Sequence, residues 1–219
     1  MHVKNAATPT PNSSNRQKKA KASCVKTPPR AKRANKRKKR ADMTLLHFAL
    51  RAEAQSFLDF FRFTSSQNGV NAPFKLFGND DIVIVISGIG VQKTTEALHF
   101  TLQRHSIDAA YNIGIVGCDD TSVPIGTLFS YLPYTPQSAK PPVVSVSAPQ
   151  TKKIRRETTL YDMELEAFYR TLQEKIDPKR LGAFKIVSDH LNANIPAKAY
   201  VKALVGDHRD TILKAIEHD

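Results

Sequence analysis

Hydrophobic positions from residue 43 onwards follow two patterns. The β-branched run Ile82–Ile86 is typical of a strand that is buried on both faces, whereas the apolar residues of Ala52–Phe63 cover a broad face of a helix. Because predicted strands and helices alternate along the chain, the pattern indicates an α/β fold with a largely parallel or mixed sheet. The predicted strands are Thr44–Ala49, Phe74–Phe77, Ile82–Ile86, Ala110–Ile115, Thr127–Leu132, Val143–Val146 and Phe184–Val187, and the predicted helices are Ala52–Phe63, a segment that follows Gly90 and runs to about Arg104, Leu160–Ile176 and Ala197–Ile216.

Residues 1–42 show neither pattern. They contain 14 Lys or Arg, one acidic residue and no Phe, Tyr, Trp, Leu or Ile. A segment with so little apolar surface cannot offset the entropy of ordering it, so we expect a disordered basic tail. The alternative is upstream sequence that is not translated, with Met43 as the true start. Residues 43–219 are long enough for one domain with a substantial core.

The net charge of +13 belongs to this tail. Residues 43–219 hold 19 basic and 19 acidic residues, so their net charge is zero. The basic run 32–40 can contact nucleic acid or act as a nuclear-import signal. Because no aromatic residues are interleaved for base stacking, we expect any nucleic-acid contact to be weak, non-specific and steeply dependent on salt.

The remaining composition excludes several classes of protein. No apolar run is long enough to span a bilayer, and the N-terminus lacks an apolar signal-peptide core, so we expect a cytoplasmic protein. Cys24 and Cys118 form no disulfide framework, which fits a reducing compartment. No Cys or His set has zinc-ligand spacing, and we expect neither a metal nor another cofactor.

Small and acidic residues follow several predicted strands. Ligands of open α/β sheets bind beyond the carboxyl ends of the strands, where the sequence places Ser87–Gly90, Gly114–Gly117 and Ser188-Asp189. The glycines of Gly88-Ile89-Gly90 let the backbone approach a ligand closely and leave helix amides free to bind oxygen atoms. The segment lacks the third glycine of a dinucleotide fingerprint, and a structural tight turn is the alternative.

Three carboxylates in separate segments, Glu53, Glu164 and Asp189, lie at or just after predicted strand–helix junctions. A carboxyl group in a partly dry pocket can act as a general acid or base. Each residue also has a structural explanation, since acids favour helix N-termini and turns and Glu53 suits a helix surface. Together with Ser87–Gly90 the three carboxylates predict a purine-ribose site.

These segments resemble the nucleoside phosphorylase/nucleosidase superfamily, in particular the 5′-methylthioadenosine/S-adenosylhomocysteine nucleosidases, over residues 44–217. The resemblance implies a three-layer α/β/α sandwich around a mixed, twisted sheet, and a homodimer, since a neighbouring subunit commonly completes the pockets of this group. The matching segments, in the family order, are Ala-Leu-Arg-Ala-Glu-Ala (49–54), Ser-Gly-Ile-Gly (87–90), Asn-Ile-Gly-Ile-Val-Gly (112–117), Pro-Ile-Gly-Thr-Leu (124–128), Asp-Met-Glu-Leu-Glu-Ala (162–167) and Val-Ser-Asp (187–189).

The resemblance also implies roles for single residues. Glu53 would orient or deprotonate an attacking water. Asp189, supported by Ser188, would protonate N7 of the purine so that the base leaves. The residues expected on the ribose side are Ser87, Gly88, Gly90, Met163 and Glu164, with Glu164 on the ribose hydroxyls.

The chain departs from the superfamily pattern in two places. Residues 43–87 lack the Gly-Xxx-Pro-Xxx-Arg phosphate loop of the phosphorylases, which favours water as the nucleophile. The interval from Gly126 to Asp162 is shorter than expected, and the base-binding Ser-Gly-Asp-Xxx-Phe segment appears as residues 145–152 without a Phe. Tyr131, Tyr134 and Phe168 are the candidates to replace that aromatic side chain.

Four functions remain open at the level of the sequence. The first is a nucleosidase that hydrolyses a purine nucleoside or a 5′-substituted adenosine. The second is a phosphorylase, or a relative that acts on another nucleoside such as futalosine. The third is a non-catalytic relative that binds a nucleoside or a protein partner, and the fourth is a nucleic-acid-binding protein that works through residues 1–42.

Overall fold

The computed structural model describes residues 43–67, 72–192 and 196–218. The predicted disordered tail, residues 1–42, lies outside the described residues. Eight strands and five α-helices follow one another in these ranges. The strands are β1 (Thr44–Phe48), β2 (Lys75–Gly78), β3 (Ile82–Ile86), β4 (Ala109–Cys118), β5 (Leu128–Tyr131), β6 (Val143–Ser145), β7 (Leu160–Asp162) and β8 (Leu181–Asp189), and the helices are α1 (Arg51–Phe61), α2 (Val91–Leu102), α3 (Leu165–Leu172), α4 (Lys198–Gly206) and α5 (Arg209–Glu217).

All eight strands belong to one mixed sheet. β1 pairs in parallel with β3 and β4, and β8 pairs in parallel with β4. β2 adds to β3, and β5 adds to β8, in antiparallel orientation. β7 pairs antiparallel with the last two residues of β4, beyond the stretch that pairs with β1, and β6 extends the sheet from β7.

Helices cover both faces of the sheet. One hydrophobic core contains the buried side chains of α2 and α3, and the other contains those of α1, α4 and α5. Neighbouring strand residues alternate between the two cores, as Leu45 and Leu46 of β1 do, because successive side chains of a strand point to opposite faces. This arrangement confirms the predicted three-layer α/β/α sandwich with a mixed sheet.

The predicted helix Leu160–Ile176 is wrong at its beginning. Leu160–Asp162 forms β7, and the helix of this segment is confined to Leu165–Leu172. The apolar residues Leu160 and Tyr161 suit either type of element, and the pairing of β7 with β4 and β6 decides for a strand.

Other boundaries differ from the predicted ones in length. The predicted helix Ala197–Ile216 is two helices that are separated at Asp207 and His208. β4 and β8 extend to ten and nine residues and pair with each other along most of their length. No helix among the described residues is long and apolar enough to cross a membrane.

Candidate active site

A cavity of about 290 Å³ opens at the carboxyl ends of β1, β4, β7 and β8. Its volume lies near the lower end of the range for small-molecule sites. Of the predicted site residues, five line it: Glu53, Met163, Glu164, Ser188 and Asp189. The strand ends therefore bring the three predicted carboxylates together in one place.

Glu53 is buried on the first turns of α1, and backbone amides hold both of its carboxyl oxygens. Oε2 accepts a hydrogen bond of 2.8 Å from Leu50 N, and Oε1 accepts one of 3.0 Å from Ile115 N. Gly114 allows this close approach of α1 to β4, because a Cβ atom at that position would lie 2.9 Å from Glu53 Oε1. The carboxyl group is thus fixed against the end of the sheet.

Burial raises the pKa of Glu53 to about 7, against the lowering effect of the Ile115 and Leu50 amides. The nearby Glu164 raises this pKa further, whereas the positive charge of Lys185 lowers it. A carboxyl group with a pKa near 7 changes its charge in the physiological range and can accept a proton there. The surroundings of Glu53 therefore suit a general base.

Glu164 lies just before α3 and faces the turn that follows β3. Its Oε1 accepts a hydrogen bond of 2.8 Å from Gly90 N. Burial raises the pKa of Glu164, the charge of Lys185 lowers it, and Asp162 raises it. Glu164 thus links the segment after β7 to the turn after β3 by a direct hydrogen bond.

Ser188 and Asp189 line the cavity together, although neighbouring residues of a strand normally point to opposite faces. The cause is a register shift, in which Val116 lies opposite Val187 but Gly117 lies opposite Asp189. Such a bulge re-aims the side chains at the end of a strand. Ser188 Oγ donates a hydrogen bond of 2.7 Å to Asp189 Oδ2. A role of Ser188 in supporting Asp189 during catalysis stays a prediction.

Ser87 is buried beneath the turn that follows β3. Its Oγ lies 3.0 Å from His47 Nε2 and donates to Gly88 O at 2.7 Å, and the other ring nitrogen of His47 lies 2.7 Å from Asn112 Nδ2. Burial lowers the pKa of His47 to about 3, so the ring is neutral at physiological pH. Ser87 thus bonds to the protein's own groups.

The turn itself reaches the cavity through Ile89, which lines it, rather than through Gly88 or Gly90. Both glycines have positive φ angles, 87° and 100°, that side chains with a Cβ rarely adopt. A direct contact of Ser87, Gly88 or Gly90 with a ribose stays a prediction.

Sequence analysis missed a buried ion pair next to the carboxylates. Lys185 Nζ lies 2.7 Å from Asp162 Oδ2, and both side chains are almost fully buried. The Asp162 carboxylate also accepts hydrogen bonds from Ser145 Oγ and Leu165 N. The available signal was a single lysine within the apolar strand Phe184–Val187, since a lysine at the centre of such a run needs a buried partner.

We expect Lys185→Met to lower the free energy of unfolding by about 3 kcal/mol, because it leaves the buried Asp162 carboxylate without its counter-ion. Urea denaturation followed by circular dichroism measures this change. Lys202→Met is the matched control, since it removes an exposed lysine from its ion pair with Asp59 and is expected to have little effect. A stability equal to that of wild type in Lys185→Met would contradict the expectation.

The aromatic residues predicted to flank a base lie elsewhere. Tyr131, Tyr134 and Phe168 are buried in a hydrophobic core and do not line the cavity. Tyr131 OH donates to Pro141 O, and the Phe168 ring packs against His47. Tyr161 of β7 lines the cavity instead, and sequence analysis missed it because it placed this residue in a helix.

Comparisons with known proteins identify the fold. No protein-family model matches the sequence, and the search of curated proteins finds no significant match. Among solved structures, a 5′-methylthioadenosine/S-adenosylhomocysteine nucleosidase from Helicobacter pylori, bound to butyl-thio-DADMe-Immucillin-A, has a TM-score of 0.65 and 12% identity over 81% of this chain and 99% of that one.

Two further structures are similar to the same extent. Futalosine hydrolase of Helicobacter pylori has a TM-score of 0.65 at 12% identity, over 82% of this chain and 99% of that one. The 5′-methylthioadenosine nucleosidase of Arabidopsis thaliana, in apo form, has a TM-score of 0.64 at 18% identity, over 81% of this chain and 96% of that one. The chain therefore has the fold of the nucleoside phosphorylase/nucleosidase superfamily, as its motifs predict.

Proposed function

We propose that the protein is a nucleosidase that hydrolyses the N-glycosidic bond of a purine nucleoside or a 5′-substituted adenosine. The observation that carries this proposal is the convergence of Glu53, Glu164 and Asp189, from three separate segments, on one cavity. The fold similarity to nucleosidases and to futalosine hydrolase supports the same class of reaction.

The chemistry of glycosidic cleavage gives each carboxyl group a role. Positive charge develops on the sugar and negative charge on the departing base, so a carboxylate at the sugar and a proton donor at the base both stabilise the transition state. Glu53 in its ionised form takes a proton from water, whose oxygen then bonds to the sugar carbon. Asp189 gives a proton to the base as the carbon–nitrogen bond breaks, and Glu164 accepts hydrogen bonds from the ribose hydroxyls.

Water is the proposed nucleophile rather than phosphate. Within the described part of the chain, neither Lys nor Arg lines the cavity. Lys185 does not line it and forms a buried ion pair with Asp162. A phosphate ion carries about two negative charges and is normally held by such cations. Beside two buried glutamates it would meet repulsion, whereas neutral water would not.

A second candidate function differs from the first in the base and the 5′ substituent of the substrate. Since futalosine hydrolase matches the fold as well as the methylthioadenosine nucleosidases do, a futalosine-like nucleoside is the alternative substrate. We further propose that the protein acts in the cytoplasm as a homodimer, with nucleic-acid contact limited to residues 1–42.

The test incubates the full chain with 5′-methylthioadenosine, S-adenosylhomocysteine, adenosine, inosine and futalosine, each with and without phosphate. Chromatography follows the released base and sugar. We expect phosphate-independent release of the base with a free sugar product from at least one substrate. Asp189→Asn, purified in the same way, is the blank for contaminating nucleosidases. A ribose 1-phosphate product, or no release from any substrate by the folded protein, would contradict the proposal.

A further inference from the structure

Three buried polar side chains, Asn112, His47 and Ser87, form a hydrogen-bonded network on the sheet face that α2 and α3 cover. His47 of β1 and Asn112 of β4 are paired residues of neighbouring strands, and Ser87 follows the end of β3 on the other side of β1. At most 5% of the surface of any of the three is exposed, and none of them lines the cavity. None of them takes part in the proposed bond cleavage.

The direction of the hydrogen bonds follows from the contact between Ser87 and Gly88. Ser87 Oγ lies 2.7 Å from Gly88 O, and a carbonyl oxygen only accepts, so the single hydroxyl proton belongs to this bond. His47 Nε2, 3.0 Å from the same Oγ, must then carry a hydrogen and donate it. Burial, together with the charge of Lys185, lowers the pKa of His47 to about 3, so the ring is neutral and its Nδ1 accepts from Asn112 Nδ2 at 2.7 Å. The donors thus point from Asn112 through His47 and Ser87 to the Gly88 carbonyl.

The Asn112 amide agrees with this direction. Its nitrogen faces the ring of His47, whereas its Oδ1 atom has no hydrogen-bond partner among the described residues. Turning the amide would place its oxygen against the unprotonated Nδ1 and leave the NH2 group unpaired instead. A buried acceptor without a partner lowers stability, and departures of this kind are expected near functional sites.

The turn Gly88–Gly90 connects the network to the cavity. Both glycines have positive φ angles, so the turn continues neither the strand before it nor the helix after it. Ser87 Oγ holds the carbonyl at the beginning of the turn. The amide at its end, Gly90 N, donates a hydrogen bond of 2.8 Å to Glu164 Oε1, and Glu164 lines the cavity. A change in the direction of the Gly88 carbonyl would therefore move the amide that holds Glu164.

We propose that His47 is a positioning residue, which keeps the Ser87 proton on the Gly88 carbonyl and, through the turn, keeps the Glu164 carboxyl group in place. The consequence for catalysis rests on the proposed function, in which Glu164 binds the ribose hydroxyls. A neutral histidine suits this position, because one ring nitrogen donates while the other accepts in a rigid plane. Without the donor from His47, the Ser87 hydroxyl is free to turn towards Phe48 O, which lies 3.4 Å from Oγ.

The deciding measurement is hydrogen exchange of the Gly90 amide, followed by NMR on the full chain. We expect His47→Leu and Ser87→Ala each to accelerate this exchange about 10-fold, because each removes hydrogen bonds from the network. His47→Gln keeps an N–H donor towards Ser87 and is expected to stay within about 3-fold of the wild type. The double variant of His47→Leu and Ser87→Ala should match Ser87→Ala, because His47 acts through Ser87.

Leu45→Ala is the matched control. Leu45 lies two residues before His47 on the same face of β1 and is fully buried, and its apolar side chain makes no hydrogen bond. We expect lower overall stability but local exchange of Gly90 within about 2-fold of the wild type. Equal acceleration in Leu45→Ala and His47→Leu would show a general effect of packing and would overturn the inference.

The ¹⁵N chemical shifts of the His47 ring give a second readout that needs no variant. We expect the proton on Nε2 and an unprotonated Nδ1. A proton on Nδ1, or Gly90 exchange in folded His47→Leu equal to that of the wild type, would overturn the inference. If His47→Leu does not fold, unchanged exchange in Ser87→Ala has the same meaning.

Activity tests the consequence for catalysis separately. On a ribonucleoside that the wild type cleaves, we expect His47→Leu to lower kcat/KM about 10-fold. The loss should be far smaller on the 2′-deoxy analogue, which lacks a hydroxyl for Glu164, and equal losses would overturn the link to Glu164. A protein with the expected exchange and ring proton that cleaves no nucleoside would contradict the nucleosidase and leave the positioning role of His47 standing.

Discussion

Glu53→Gln is expected to lower kcat about 1,000-fold on any substrate that the wild type cleaves. Glutamine has the shape of the glutamate side chain but cannot take a proton from water, and loss of a general base costs about 10²- to 10⁴-fold. Only one of the Leu50 and Ile115 amides can keep its hydrogen bond, to the glutamine carbonyl oxygen, because the other amide then faces the glutamine NH2 group. We expect KM to change far less than kcat. Steady-state kinetics with the substrate found in the product assay measure both constants.

The wild-type pH profile gives an independent check on the same residue. Because burial raises the pKa of Glu53 to about 7, the ionised base accumulates as the pH rises through 7, and kcat/KM is expected to rise with it and level off above. Glu53→Gln should lack this rise. A flat wild-type profile between pH 5.5 and 8.5 would be inconsistent with Glu53 as the base.

Stability separates a chemical effect of Glu53→Gln from unfolding. A carboxyl group whose pKa is raised in the folded state stabilises the fold below its unfolded pKa of 4.5, and that contribution is lost as the pH rises through about 7. Above pH 7 the neutral glutamine avoids the cost of a buried charge, about 3 kcal/mol for this shift. This gain is offset by the glutamine NH2 group, which faces one of the two backbone N–H donors. We therefore expect Glu53→Gln to remain folded at pH 8 while it is nearly inactive.

Asp189→Asn is expected to lower kcat about 1,000-fold with purine nucleosides, because the base would then leave without a proton from the protein. The amide can keep the hydrogen bond from Ser188 Oγ, so the bulge at the end of β8 should survive. The sharper measurement compares a purine nucleoside with 4-nitrophenyl riboside, whose leaving group needs no protonation. Asp189→Asn should lose far less activity on the nitrophenyl substrate.

Glu53→Gln and Asp189→Asn together test which residue acts at the sugar side and which at the base side of the glycosidic bond. Glu53→Gln should be impaired on both substrates, since water must be activated in either case. Asp210→Asn, an exposed carboxylate on α5, controls for the loss of a negative charge as such and should behave as the wild type. Equal losses on both substrates in Asp189→Asn would show that Asp189 does not protonate the base.

The sheet was predictable from sequence because its central strands carry their own signal. The continuous β-branched run Ile82–Ile86 predicts a buried strand without reference to its neighbours, and the structure places β3 at the same five residues. The three residues of β7 carry no such signal. Their strand conformation depends on pairing with β4 and β6, which lie at least 15 residues away in sequence. Because the residues that follow have helical periodicity, the predicted helix was extended to include these three residues.

The candidate site was predictable where it depends on short motifs and not where it depends on side chains from different strands. The motifs around Glu53, Glu164 and Asp189 named residues that share one cavity. The partner of Lys185 lies 23 residues upstream, and that of Ser87 lies 40 residues upstream. Contacts of this kind follow from the strand order, which the sequence pattern left open.

The cavity walls come from segments that are far apart along the chain: the start of α1, the turn after β3, the end of β4, the chain around β7 and the end of β8. No single segment holds the whole site, so we expect a ligand to bind the folded chain and not the unfolded one. By mass action, a ligand at 100 times its Kd would then raise the free energy of unfolding by about 2.7 kcal/mol. A library of nucleosides can thus be screened by the shift in melting temperature alone, and a substrate would reveal itself even under conditions where turnover is too slow to detect.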